Sequence, residues 1–170
     1  MQINLRPDTW DHLIYEHTVG GEYGPVEFRD KVVADIGAHI GSFSLLAAAQ
    51  GARRVLAFEA GSENFDYLTQ NCGSWPSVEC ARAAVWASGT TDATLSWRPP
   101  SLAENTGGGS VLNCAQIAGF AISSKGQEQV PVIGLDKIID SVGGHRPAKD
   151  RCGRQRVSHP LRQPTARPCA

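Results

Sequence analysis

The segment "DIGAHIG", Asp35 to Gly41, places an acid and two glycines in one short stretch. It follows the apolar run "KVVADI" and precedes the helix-forming run "SFSLLAAAQ". Glycines at positions 37 and 41 allow the backbone to turn sharply and to approach a bound molecule with no Cβ in the way. A helix that begins here presents free N–H groups and a positive dipole end to that molecule. The segment therefore predicts a ligand-binding turn between a strand and a helix.

A second acid, Glu59, follows the next apolar run, "RVLAF", twenty-four positions after Asp35. A carboxylate at the end of a second strand suits hydrogen bonds from two ribose hydroxyls, so the pair predicts a nucleoside site. A dinucleotide site reads G-x-G-x-x-G, and Asp35 would repel its pyrophosphate. The same acid suits a cation, such as the amino group of a methionine-derived moiety. The pattern favours S-adenosylmethionine over NAD; a tight turn with an incidental acid is the third interpretation.

The predicted elements around this turn alternate between strand and helix. Strands are expected at 31–36, 54–58 and 78–86, and helices at 42–50 and 62–71. This order indicates an α/β fold with a right-handed parallel unit, whose ligands lie at the carboxyl ends of the strands. Further expectations are a short helix at 10–17, a hairpin strand at 93–97, a return strand at 129–133 and a helical turn at 135–139. Ser62 and Asp136 are the expected N-caps of their helices.

The composition narrows the class of protein. Hydrophobic residues make up 41 % of the chain and charged residues 19 %, as in globular proteins. No apolar run approaches the roughly 20 residues of a membrane span, and no signal peptide is recognisable. The net charge of −1 gives no reason to expect a specific nucleic-acid partner. Five cysteines include no C-x-x-C pair. We therefore expect a cytoplasmic chain with reduced thiols and no metal site.

A longer stretch, "VVADIGAHIGSFSLLAAAQGARRVLAFEA", resembles class I methyltransferases from motif I through the second strand, and more narrowly the FkbM family. The resemblance continues through "EYG" at 22–24, "ARAAVWASGTTDATL" at 81–95 and "VPVIGLDKII" at 130–139, and covers roughly residues 18–140. It implies a Rossmann-like methyltransferase sheet and S-adenosyl-L-methionine as the cofactor. The cofactor-binding residues that it implies are Asp35, Gly37, Gly41 and Glu59, with Glu22, Tyr23 and His39 as further candidates.

The resemblance also bears on the reaction. Members of the family mostly methylate oxygen atoms of sugars, lipids or polyketide-type products, which implies a small-molecule or glycan acceptor. His39 stands where the family often has Asn or His, and it either caps the backbone or faces the cofactor. No catalytic residue is assigned, because the proton-accepting base is expected in the part of the chain that departs from the family pattern.

That departure begins after "LDKIID". Residues 143–170 hold seven Lys and Arg against one Asp and no aromatic residue, whereas residues 1–142 hold nine Lys and Arg against sixteen Asp and Glu. Such a tail cannot bury enough apolar surface to order itself. The family pattern leads one to expect a strand like "LLKIDVEGSE" here. When the last two bases of each codon are read with the first base of the next, residues 148–158 can encode "LKIDVEGSEYP".

We therefore predict a methyltransferase domain at 1–142, incomplete at its C-terminus, and a disordered, frameshifted tail at 143–170. A sequencing error, pseudogene decay and a true truncation all remain open. Loss of that strand would partly uncover the edge of the first strand and the apolar faces of Val33, Ile36, Phe58 and Val85. The alternatives to a methyltransferase are an NAD-dependent oxidoreductase and a non-catalytic nucleotide-binding fragment whose basic tail binds polyanions.

Overall fold

The computed structural model describes residues 2–89, 92–97, 106–107 and 126–143. In chain order its elements are α1 (Asp11–Val19), β1 (Val32–Ile36), α2 (Ser42–Ala49), β2 (Arg54–Glu59), α3 (Ser62–Cys72), β3 (Val78–Arg82), β4 (Ala84–Trp86), β5 (Asp92–Trp97), β6 (Gly126–Gly134) and α4 (Leu135–Gly143). The expected tail lies outside the described residues apart from Gly143, so its disorder and its frameshift stay predictions.

The first sheet is parallel and has the order β1-β2-β3. Val32 lies opposite Arg54 on β2, and Val55 of β2 lies opposite Val78 on β3. Helix α2 connects the first two strands and α3 connects the second pair. The predicted α/β fold is confirmed, since this strand–helix–strand–helix–strand unit is the Rossmann-like one that the sequence pattern indicated.

One face of this sheet is covered by α2 and α3. Leu45 of α2, Ala57 of β2 and Leu68 of α3 are all fully buried in one cluster. The Ala- and Leu-rich sequence of α2 suits a helix, and Gly51 follows its end with a φ of 89°. The elements that cover this face are thus the connections between its own strands.

The opposite face is covered by α4, which also contacts β1 and β6. Leu56 and Phe58 of β2 pack there against Ala83 and Ile138. A cavity of about 300 Å³ remains on this side of the molecule. Its lining residues are Arg54, Leu56, Phe58, Glu79, Cys80, Ala81, Ile133, Lys137, Ile138 and Ser141.

A second sheet has the order β4-β6-β5. Strand β4 is parallel to β6, with Val85 opposite Ile133, and β5 is antiparallel to β6, with Leu95 opposite Glu128. The prediction of one continuous strand at 78–86 is wrong. Pairing with β2 ends at Ala83, whose N–H donates to Glu59 O at 3.0 Å. The residues that follow, Ala84–Trp86, pair with β6.

The expectation that the first strand is buried is also wrong. Among the five residues of β1 only Asp35 is buried, and Ile36 is 51 % exposed. Within the described ranges β1 pairs with β2 alone, so one of its edges lacks a neighbouring strand. The exposure of Ile36 agrees with the expected uncovered edge, whereas the same expectation for Phe58 is wrong, since Phe58 is 7 % exposed and packs against Ala83 and Ile138.

Both predicted N-caps are wrong. Ser62 is the first helical residue of α3, the N-cap is Gly61, and no side chain caps this end. The carboxylate of Glu59 accepts the Gly61 N–H instead. Asp136 lies in the first turn of α4, where it accepts a hydrogen bond from the Ser88 hydroxyl. In the part of the chain that the structure describes, no helix has the length and apolar character needed to cross a membrane.

Candidate functional site

The glycine turn, residues 36–42, connects β1 to α2 at the carboxyl end of the sheet. Gly37, His39 and Gly41 have φ angles of 79°, 54° and 94°. The N–H groups of Gly37 and Ala38 both donate to Phe58 O at 2.9 Å, which fixes the turn to β2. A Cβ on Gly41 would lie 2.6 Å from Cys72 Sγ, whereas a Cβ on Gly37 would meet nothing within 4 Å. Gly41 is therefore required by packing, and Gly37 leaves one side of the turn open to a ligand.

Asp35 and Glu59 lie at the ends of neighbouring strands on this edge, and each is 8 % exposed. Asp35 Oδ2 accepts the Ser44 hydroxyl at 2.6 Å. Glu59 Oε2 accepts the His39 N–H and Oε1 accepts the Gly61 N–H, both at 2.8 Å. Since each carboxylate oxygen has two lone pairs, both acids can still accept hydrogen bonds from a ligand.

The proximity of these two acids affects their electrostatics. Burial raises the pKa of Asp35, and the charge of Glu59 raises it further, while the Ser44 hydroxyl opposes the shift. Two buried carboxylates on one edge favour a ligand that brings a positive charge to Asp35. The sequence predicted this pair, and the structure brings the two residues together.

The imidazole of His39 is buried in a polar cluster. His39 Nε2 lies 2.6 Å from Thr106 Oγ1, and the Thr106 hydroxyl donates to Asp11 Oδ1 at 2.8 Å. Because that hydroxyl has only one proton, its short contact calls for a proton on Nε2, whereas the Arg6 guanidinium can only donate and calls for a bare Nε2, so the two contacts favour opposite tautomers. Arg6 Nη2 lies 3.1 Å from the same nitrogen. Burial lowers the pKa of His39 to about 4, Asp11 opposes this shift and Arg6 adds to it, so the imidazole is neutral.

The N-terminal segment holds this cluster against the glycine turn. Arg6 Nε and Asp11 Oδ2 form a buried ion pair at 2.8 Å. Burial alone would raise the pKa of Asp11, but hydrogen bonds from Arg6 and Thr106 outweigh it and hold the pKa below its usual value. Arg6 Nη1 also donates to Asn64 Oδ1 at 2.8 Å. Sequence reasoning missed all four of these residues, since no local motif links them to the turn.

Two buried polar atoms in the turn have no hydrogen-bond partner among the described residues. They are His39 Nδ1 and Ser42 Oγ. Buried polar groups are nearly always paired, so each unpaired one needs an explanation. Both atoms lie beside the N-terminus of α2, where free N–H groups add further donors. The turn therefore offers unpaired hydrogen-bonding capacity where the sequence predicted a ligand.

The structure separates the two remaining candidates. The Tyr23 ring packs on Phe43 in the first turn of α2, with the ring centroids 4.7 Å apart. Burial raises the pKa of Tyr23, and the charges of Glu22 and Asp35 add to this shift. Glu22 is exposed. No group of three or more His, Cys, Asp or Glu side chains suited to a metal ion occurs among the described residues.

Comparisons with known proteins gave structural similarity only. No protein-family model matches this chain. No curated protein sequence matches it either. A candidate RNA methyltransferase from Pyrococcus horikoshii is similar over 44 % of this chain and 36 % of its own, with 28 % identity and a TM-score of 0.33. A candidate S-adenosylmethionine-dependent methyltransferase from Listeria monocytogenes is similar over 43 % of this chain and 33 % of its own, with 23 % identity and a TM-score of 0.37.

A third similar structure is phosphoethanolamine N-methyltransferase 1 of Haemonchus contortus, in complex with phosphoethanolamine and S-adenosylhomocysteine. The similarity covers 41 % of this chain and 14 % of that one, with 22 % identity and a TM-score of 0.35. The chain thus spans about a third of the length of the first two structures and less of the third.

Proposed function

We propose that this chain binds S-adenosylmethionine and forms the cofactor-binding part of a class I methyltransferase. The observation that carries this proposal is the pair of buried acids, Asp35 and Glu59, on either side of a turn that is open at Gly37. Asp35 would hold the ammonium group of the methionine moiety, and Glu59 would accept the ribose hydroxyls. The pair suits a ligand with one cationic end and one diol, and it disfavours a pyrophosphate.

The other residues of the turn would orient this ligand. The Ser44 hydroxyl holds the Asp35 carboxylate, and the N–H groups of His39 and Gly61 hold that of Glu59. Gly37 would allow the ligand to approach the backbone, and Ser42 Oγ would supply a polar contact at the start of α2. The cofactor, when bound, supplies a methyl group on a sulfonium. The chain's contribution to its transfer would be proximity and alignment with the acceptor.

The finer proposal is that this methyltransferase is of the FkbM type and methylates a hydroxyl of a sugar, lipid or secondary metabolite. Its support is the set of sequence motifs at 22–24, 35–41, 81–95 and 130–139. With it goes the proposal that residues 1–142 form the cofactor-binding domain and that the tail is out of frame. Sequencing of the gene around codons 140–148 tests the second point, since the removal of one base there would restore "LKIDVEGSEYP".

Calorimetry with S-adenosylhomocysteine and NAD tests the cofactor assignment. We expect the first ligand to bind and NAD not to bind. Asp35→Asn and Glu59→Gln should each weaken binding about ten- to a hundredfold, because each removes a charged hydrogen-bond acceptor. Glu79→Gln is the matched control, since Glu79 pairs with Arg54 on the exposed side of the sheet and should leave the affinity unchanged. Tighter binding of NAD would overturn the assignment.

A further inference from the structure

Cys72 and Cys80 belong to one packed region between α3 and the first sheet. Cys72 is the last residue of α3 and is fully buried. Cys80 lies on β3 opposite Ala57, and it packs against the cluster that Cys72 forms with Ala57 and Leu68. Both cysteines are free. The fold thus brings two reduced sulfurs together from positions that form no recognised sequence motif.

We propose that Cys72 and Cys80 are an oxidation site at which a peroxide converts the two thiols into one disulfide. The Cys80 thiolate attacks a peroxide oxygen, the O–O bond breaks, and Cys80 becomes a sulfenic acid while one water is released. The Cys72 sulfur then attacks the Cys80 sulfur. The S–O bond breaks, and the hydroxyl leaves with the Cys72 proton as a second water. Two thiols are oxidised and one peroxide is reduced to two waters.

The environments of the two sulfurs set this order. Cys80 is partly exposed on β3, an edge strand of its sheet, whereas Cys72 has no exposed surface. The neighbouring Cys72 thiol lowers the pKa of Cys80, although burial opposes this, and the Cys80 sulfur together with burial raises the pKa of Cys72. Since the thiolate is the nucleophile, Cys80 reacts with the oxidant and Cys72 resolves the product.

The site is connected to the glycine turn. Cys72 Sγ lies 3.9 Å from Gly41 O, and the neighbouring Asn71 Nδ2 donates to Ile40 O at 2.9 Å. The C-terminal end of α3 therefore packs against the glycine turn and holds two of its carbonyl oxygens. A disulfide of about 2.05 Å draws the Cys72 sulfur toward Cys80 and removes the proton that it offers to Gly41 O. Oxidation should therefore disturb the turn, and its effect on cofactor affinity rests on the proposed function.

The first test treats the reduced full chain with one equivalent of hydrogen peroxide, then alkylates it and maps its peptides by mass spectrometry. We expect a Cys72–Cys80 disulfide with a loss of two hydrogens, reversed by dithiothreitol. It should form before Cys114, Cys152 or Cys169 reacts. In Cys72→Ala, Cys80 should accumulate as a sulfenic acid that dimedone traps; in Cys80→Ala, Cys72 should stay reduced. The wild-type protein alone can overturn the proposal, if Cys80 stays reduced or pairs with another cysteine.

The second test measures S-adenosylhomocysteine binding to the reduced and the oxidised chain. We expect oxidation to weaken binding at least about fivefold, the lower end of typical coupling between two sites. Equal affinities would overturn the connection to the turn. If the disulfide forms but neither form binds the ligand, the proposed function fails and the oxidation site stands.

Discussion

The two faces of the first sheet are covered to different degrees. On the α2–α3 face Leu45, Ala57 and Leu68 have no exposed surface. On the α4 face a cavity of about 300 Å³ remains, and Ile36 at the adjoining edge is 51 % exposed. The first face is covered by the helices that directly connect its strands, while the second depends on an element about eighty residues further along the chain. Among the described residues, the local connections cover their face completely, and the distant element covers the other face in part.

Two ion pairs at opposite ends of the first sheet also differ in burial. The Arg6–Asp11 ion pair, near the glycine turn, has side chains that are 6 % and 0 % exposed. The Arg54–Glu79 pair, at the far end of the sheet, has side chains that are 40 % and 56 % exposed. Because the first pair is buried, each of its charges relies on the other for its hydrogen bonds. In the second pair, which is exposed, water can take the place of either side chain.

The largest expected effect comes from breaking the buried pair. Asp11→Ala should lower the free energy of unfolding by about 3–5 kcal/mol, because it removes the buried carboxylate beside Arg6 and leaves that guanidinium with the exposed Glu63, 3.5 Å away, in its place. Glu79→Ala should cause no measurable loss. Urea unfolding of both variants, followed by circular dichroism, checks this. Equal losses would show that the two pairs do not differ in kind.

A pH titration tests the state of His39. Its pKa in the folded chain is about 4, below the ordinary 6.5, so the unfolded chain takes up the proton more readily. This contribution to stability is present above pH 6.5 and is lost as the pH falls toward 4. Between these values the wild type should lose about 3 kcal/mol more than His39→Asn. Asn tolerates the positive φ, and Asp11 and Asp35 titrate in both proteins. Parallel losses would show that His39 is charged when folded.

Matched substitutions compare the packing of the two faces. Ala81→Val on the α4 side should stabilise the chain by about 0.5–1 kcal/mol, because it fills part of the cavity that Ala81 lines. Ala57→Val should destabilise it by about 1–3 kcal/mol, because Ala57 is already enclosed. Both changes add the same side chain to neighbouring strands of one sheet. Thermal unfolding gives the comparison, and a loss of stability in both variants would mean that the cavity cannot accept a methyl group.

The smallest effect on stability is expected at the open edge. Ile36→Thr keeps a β-branched residue on β1 and should change the free energy of unfolding by less than about 0.5 kcal/mol. Its effect should appear in association instead, since β1 has an apolar edge that no strand of the described ranges covers, and such an edge favours strand pairing between chains. Light scattering over a concentration series should show less aggregation than in the wild type. Unchanged aggregation would show that the chains associate through a surface other than the edge of β1.

The sequence predicts the elements whose signals are local. The apolar run before Asp35, the helix formers after Gly41 and the stop at Gly51 placed β1 and α2 to within one residue. The break at Ala83 was missed because it depends on pairing between β4 and β6, which are some forty residues apart.

The residues of the candidate site are likewise of two kinds, those predicted by a local motif and those brought in by distant contacts. Asp35 and Glu59 follow from motif spacing. The contact between Asp11 and Thr106 spans 95 residues and has no signature in either neighbourhood. Non-local contacts of this kind are created by the fold, so local pattern reasoning could not supply them.

The carboxylate of Glu59 has a thermodynamic consequence for ligand capture. Its two oxygens are already held by N–H groups from two separate loops, at His39 and Gly61. A free glutamate loses about 1.5–2 kcal/mol of rotamer entropy when a ligand immobilises it. Here folding has already met that cost, so a hydroxyl that reaches Glu59 binds to an acceptor with no freedom left to lose. Affinity at this position is therefore set by the fit of the ligand and not by the ordering of the side chain.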